Sequence, residues 1–167
     1  GGILSLAVPD KRYTFDYYRS ETQLHELIDT WIRNEPVPTP GQIFDMLTNE
    51  REVPYDSFGR VIEGIPCETL PRHFTDQDAL QNAIRSFKKG EYLDIHCSVF
   101  TPEGLKKLFL KIHDLGILNI SVSEPISVGG EFFIQLRKEG EPRVHRSAPE
   151  SSSRAPQKPE RIQPRPE

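Results

Sequence analysis

Cysteine is scarce in this sequence: Cys67 and Cys97 are the only two, far apart, with no C-x-x-C pair. That excludes both the spacing of a zinc site and a redox motif, and two reduced, partly buried thiols are the expectation. The five histidines recur at no metal-ligand spacing, so no metal is expected. Long apolar runs are missing as well. Nothing approaches the roughly 20 residues of a membrane span, and the apolar start at Ile3 lacks the basic flank and cleavage site of a signal peptide. The reading is a cytoplasmic protein with no membrane span. An excess of positive charge is also absent: the net charge is -4 and the pI about 5.8, which leaves no electrostatic footprint for nucleic acid.

Apolar residues make up 35% of the chain and prolines number 15, about twice the usual share, so part of the chain is expected to be unfolded. The 167 residues otherwise suit one domain. The sequence opens on Gly1-Gly2 and then Ile3-Leu4-Ser5-Leu6-Ala7-Val8 before Pro9-Asp10. A short apolar run between glycines and a proline predicts a strand buried on both faces, as in a parallel sheet. Its partners are expected before Gly1 or later in the chain.

Ser20 is read as an N-cap with Gln23 completing a capping box, ahead of an apolar stripe at Leu24, Leu27, Ile28, Trp31 and Ile32. Thr39-Pro40-Gly41-Gln42 starts a second helix, with a short face of Ile43, Phe44 and Leu47. Residues 49–72 show no period and many turn residues, the pattern of a lid or binding loop. A third helix is expected over 75–89, facing inward through Leu80, Ala83, Ile84 and Phe87 and ending at Gly90. Residues 92–100 lead to Thr101-Pro102, an N-cap and N1 proline. The helix that follows has a face of Leu105, Leu108, Phe109 and Ile112, and Gly116 stops it. Residues 117–122 and 131–137, joined through Gly129-Gly130, read as two closing strands in a terminal antiparallel element. Residues 139–167, rich in proline, serine and mixed charge, cannot bury enough surface to order themselves. Their prolines form no clean P-x-x-P core.

Three stretches together resemble the second half of class I S-adenosylmethionine-dependent methyltransferases: residues 1–10, the Thr101-Pro102-Glu103-Gly104-Leu105 helix start, and Leu115-Gly116 with the closing strands. The string Pro9-Asp10-Lys11-Arg12-Tyr13-Thr14-Phe15-Asp16, with Asp94-Ile95-His96 before the last helix, is similar to a bacterial branch of that family. The resemblance covers most of residues 1–138. It implies the C-terminal half of a doubly wound, Rossmann-like α/β sheet formed by residues 1–16 and 92–138. Residues 17–91 would be a mainly helical insertion or acceptor lid, and 139–167 a tail. The implied activity is methyl transfer from S-adenosylmethionine to a small-molecule acceptor such as a sugar or polysaccharide precursor. Nothing in the chain resembles the family's glycine-rich loop or its ribose-binding acidic residue. The chain is therefore expected to be a fragment that lacks the cofactor-binding half.

In open α/β sheets ligands sit beyond the carboxyl ends of the strands, which aims residues 9–19 at the site. His96 is the base candidate, because histidine alone titrates unperturbed near neutrality; capping within the rim is the other role open to it. Asp10 and Asp16 can orient hydroxyls, act as alternative bases, or cap turns. Arg12 and Arg19 can clamp a phosphate or carboxylate, or simply be solvated. Tyr13, Phe15, Tyr17 and Tyr18 can wall a sugar ring or pack the insertion on the sheet. Trp31 reads as plain packing; His25 and His113 read as structural or exposed, His73 as a loop residue and His145 as part of the tail. A competing function is a non-catalytic fragment or protein-interaction module. A nucleotide-sugar reductase ranks last for want of a Y-x-x-x-K motif.

Overall fold

A computed structural model describes residues 1–34 and 36–145 of the chain. The local start and stop signals act where their chemistry dictates. Thr39 Oγ1 accepts the Gln42 N–H at 3.2 Å and Gln42 Oε1 accepts the Thr39 N–H at 2.9 Å, so the helix spanning Pro40–Asn49 begins at its expected box. Gly90, at φ +63°, ends the helix Asp76–Lys89 in the left-handed region open to glycine. Thr101 Oγ1 caps the helix Pro102–Asp114 by accepting the Gly104 N–H at 3.1 Å. The first helix, Leu24–Arg33, corrects the sequence reading. Its cap is Gln23, whose N–H donates to Glu26 Oε2 at 2.6 Å, and Ser20 lies outside it. The shift has a tertiary cause: Thr22 exchanges bonds with Val99 (2.9 and 3.0 Å), which holds residues 20–22 extended. In chain order these helices are α1 to α4.

The sheet is built around β4 (Glu131–Lys138). Along one side runs β1 (Ile3–Pro9), antiparallel, with Ile3 opposite Arg137 and Pro9 opposite Glu131. Along the other side lie β2 (Ile120–Val122) and β3 (Ile126–Val128), both antiparallel to β4. Residues 120–128 face residues 131–138, so one extra residue bulges at Ser123–Pro125. The two closing strands thus pair as expected. The expected parallel setting of β1 does not appear: its partner among the described residues is antiparallel, and the nearest parallel feature is a single bridge between Asp10 and Phe100. The described residues form a mixed α/β structure, four α-helices with an open antiparallel sheet of four strands. β1 is also not buried on both faces, because it is an edge strand here; Ile3 is 57% exposed.

Two apolar clusters result. Alternation along β4 sends Phe132 and Ile134 inward against Leu105 of α4, with Leu6 and Val8 of β1 and Val122 of β2 packed beside them. The second cluster joins Ile43 and Leu47 of α2 to Ala79 and Ala83 of α3, and Ile95 completes it. Here α3 is rotated from the expected face. Its buried residues are Ala79, Ala83 and Ser86, whereas Leu80 and Ile84 are exposed and Phe87 is 68% exposed. Small side chains let α2 approach closely, and the large ones turn outward. No residue of α1 is fully buried. The first residues of the presumed tail are engaged: the N–H groups of Arg143 and Val144 donate to the Gly116 carbonyl at 2.8 and 3.0 Å. Residues 146–167 of that segment lie outside the described residues. Among the described residues no helix is long and apolar enough to cross a membrane.

Candidate functional site

The carboxyl end of β1 runs straight into a one-turn 3-10 helix, Lys11–Tyr13, capped by Asp10. Asp10 is buried and its carboxylate is fully occupied. It accepts the Arg12 N–H at 3.0 Å and holds the Arg12 guanidinium through Nε (2.9 Å) and Nη2 (2.6 Å). This bond raises the already high pKa of Arg12. Of the roles open to Asp10, the cap and ion-pair partner is the one this geometry fills. Arg12 binds Asp10 through Nε and Nη2, with Glu103 at 3.7 Å, and its side chain is 47% exposed.

Six residues on, the chain buries a second acid. Asp16 is 2% exposed; one carboxylate oxygen accepts from Arg19 Nη1 at 2.7 Å and the other faces His96 Nδ1 at 2.6 Å. Arg19 is buried as deeply, and its Nε and Nη2 both donate to Asp45 Oδ2 of α2 at 3.0 and 2.8 Å. A buried guanidinium shared by two carboxylates is a paired charge, which removes the penalty of an isolated one. Arg19 therefore also has no donor left aimed at a ligand. His96 is half exposed, its ring lies against Phe15 with centroids 4.8 Å apart, and its backbone N–H donates to Met46 Sδ at 3.2 Å.

A carboxylate only accepts, so with Nδ1 as the donor of this bond a neutral ring carries its lone pair on Nε2. Nε2 has no hydrogen-bond partner among the described residues. The ring borders a cavity of about 230 Å³ lined by Val8, Pro9, Lys11, Asp16, His96 and Ser98 to Phe100. This hollow sits beyond the carboxyl end of β1 and just ahead of the start of α4. Lys11 enters its wall with Nζ donating to the Tyr17 carbonyl at 2.7 Å. Burial lowers its pKa, against the opposing pull of Glu21, Asp16 and Asp10.

The structure thus brings Asp16, Arg19 and His96 together, with Asp10 and Arg12 as a separate pair on the same rim. Tyr13 and Tyr17 do not line the cavity; Tyr17 packs edge-on against Tyr18, whose hydroxyl donates to the Ile65 carbonyl at 2.6 Å. Sequence reasoning passed over Asp45 and Met46, for which no local signal exists, and gave no role to Lys11, although it stands inside the distinctive Pro9 to Asp16 string. A larger hollow of about 500 Å³ at the far end of β1 is walled mainly by Ile3, Leu4, Leu118, Leu136 and Pro142. Its two charged residues, Lys138 and Glu141, pair with each other. No cluster of three or more histidine, cysteine, aspartate or glutamate residues is placed to hold a metal among the described residues. Protein-family models, curated proteins and solved structures give no match to this chain.

Proposed function

We propose that this chain supplies the acceptor side of a cytoplasmic methyl-transfer site, with His96 as the general base for a hydroxyl of a small neutral acceptor such as a sugar. The observation that carries the reading is the buried Asp16 bonded to His96 Nδ1 at 2.6 Å, beside a cavity at the carboxyl end of β1. In this role Nε2 takes the acceptor's proton as its oxygen becomes nucleophilic, and the imidazolium that forms is stabilised by Asp16 across the same bond. Arg19 is committed to Asp16 and Asp45, which argues against its clamping a phosphate or carboxylate on the acceptor.

S-adenosylmethionine is the donor that the resemblance implies, yet the residues present do not fit it. β1 leads into a 3-10 turn built on Asp10, and Gly129-Gly130 joins two strands, so neither forms a glycine-rich turn between a strand and a helix. Asp16 and His96 are therefore assigned to the acceptor alone. The test is His96→Ala in protein competent for transfer, assayed with radiolabelled S-adenosylmethionine against a panel of small hydroxylated acceptors. Turnover should fall by about 10²- to 10⁴-fold with donor affinity unchanged. Near-normal turnover refutes the assignment. The exposed stripe of Leu80, Ile84 and Phe87 on α3 favours a second reading, a protein-interaction module, under which His96→Ala is without effect.

A further inference from the structure

Two consecutive residues of α2 hold the acid–histidine pair from opposite ends. Asp45 accepts both Nε and Nη2 of Arg19, and the same guanidinium grips Asp16 through Nη1. Met46 accepts the backbone N–H of His96 through its sulfur at 3.2 Å. Asp45 itself is steadied from one turn later, where Asn49 donates to its Oδ1 at 2.9 Å. The chain reaches this arrangement across long separations: Arg19 and Asp45 are 26 positions apart, and Asp16 and His96 are 80 apart. α2 is seated independently of the pair, by Ile43 and Leu47 on Ala79 and Ala83.

From this geometry we infer that α2 positions the general base: Asp45, acting through Arg19, fixes the carboxylate of Asp16 so that Asp16 fixes the ring of His96. The inference rests on the reading of His96 as the base. A planar guanidinium donates in fixed directions, so anchoring one side of it on Asp45 determines where the other side meets Asp16. Without that anchor, Asp16 keeps a charge partner but loses the direction of its bond. The ring of His96, half exposed and held otherwise by one stacking contact with Phe15, then has nothing else that fixes its rotation. Asp45 and Arg19 are positioning residues; neither lines the cavity.

The experiment needs no acceptor. In the whole chain, a short bond from Nδ1–H to a buried carboxylate gives a far-downfield imidazole proton in the NMR spectrum that exchanges slowly with water. Asp45→Asn removes the charge but leaves an amide oxygen, and since the side chain is partly exposed the fold is retained, with a melting temperature within about 2 °C of wild type. The downfield proton should then exchange about tenfold faster or disappear. Asp45→Glu, which keeps the charge, should retain the slow proton. Arg19→Lys, which keeps a cation but loses the fork, should behave as Asp45→Asn. An unchanged downfield proton in both Asp45→Asn and Arg19→Lys overturns the inference and leaves the base reading standing. A wild-type ring found as the Nε2–H tautomer, with no downfield proton, removes the base reading itself and the inference with it.

Discussion

Substituting Asp16 by Asn is the sharpest perturbation of this site, because one change acts on both charge and tautomer. The side chain is buried, with Arg19 at 2.7 Å on one oxygen and His96 at 2.6 Å on the other. Breaking a buried ion pair by removing one partner costs about 3–5 kcal/mol, and the surviving bond from Arg19 to Asp45 puts the expected loss near the lower figure. At about 2–4 °C per kcal/mol for a chain of this size, the melting temperature should drop by about 10 °C. The amide that replaces the carboxylate can still accept from Arg19 only if its oxygen points there. Its NH₂ then faces Nδ1, which must become the lone-pair nitrogen. The proton moves to Nε2, and under the base reading that nitrogen turns from acceptor to donor. Nitrogen NMR on labelled histidine reads the tautomer, and a thermal melt on the same sample reads the stability. If Asp16→Asn melts within about 2 °C of wild type and the ring keeps its proton on Nδ1, then Asp16 is not the buried partner of His96.

Burial pushes the Cys97 thiol above its usual 9.0, with Arg19 opposing weakly. The folded state therefore favours the protonated thiol, and this contribution to stability is present below pH 9 and lost as pH rises through the raised value. Alkylation of native protein at mildly alkaline pH, followed by mass spectrometry, should label Cys97 more slowly than it does after denaturation; equal rates would contradict its burial. Deleting residues 146–167 should leave the melting temperature unchanged, since their composition offers no core. Deleting from Glu139 also removes the Arg143 and Val144 bonds to Gly116, as well as the Arg143 guanidinium from the carbonyls of His113 and Asp114. At about 1 kcal/mol per bond, less where solvent competes, that truncation should lower the melting temperature by about 4 °C. Identical melting of the two truncations would show that residues 139–145 contribute nothing.

The parts legible in the sequence are those whose causes are local. Thr39-Pro40-Gly41-Gln42 and Thr101-Pro102 start helices because a hydroxyl two or three residues ahead satisfies N–H groups that have no partner within the helix. Gly90 stops one because only a residue without a Cβ enters the left-handed region freely. The alternation of Phe132, Ile134 and Leu136 with exposed neighbours follows from the pleat of a strand. Other features depended on what covers a surface, which a periodic pattern does not specify. An apolar run at Ile3 to Val8 says that a strand is wanted, and only assembly with β4 decided that its neighbour is antiparallel. On α3 the apolar residues pointed to Leu80, Ala83, Ile84 and Phe87, but of these only Ala83 packs on α2, together with Ala79. The candidate site divides in the same way. Its residues on the rim were visible as an unusual string of charges and aromatics, whereas their roles were not. Arg19 is an anion clamp or a buried strut according to where Asp45 lies, and the packing of Ile43 and Leu47 places Asp45. Sequence by itself determined the caps of α2, α3 and α4 and the identity of the rim; the tertiary structure alone decided which charges meet, because pairing energies fall with distance and only the folded chain sets the distances.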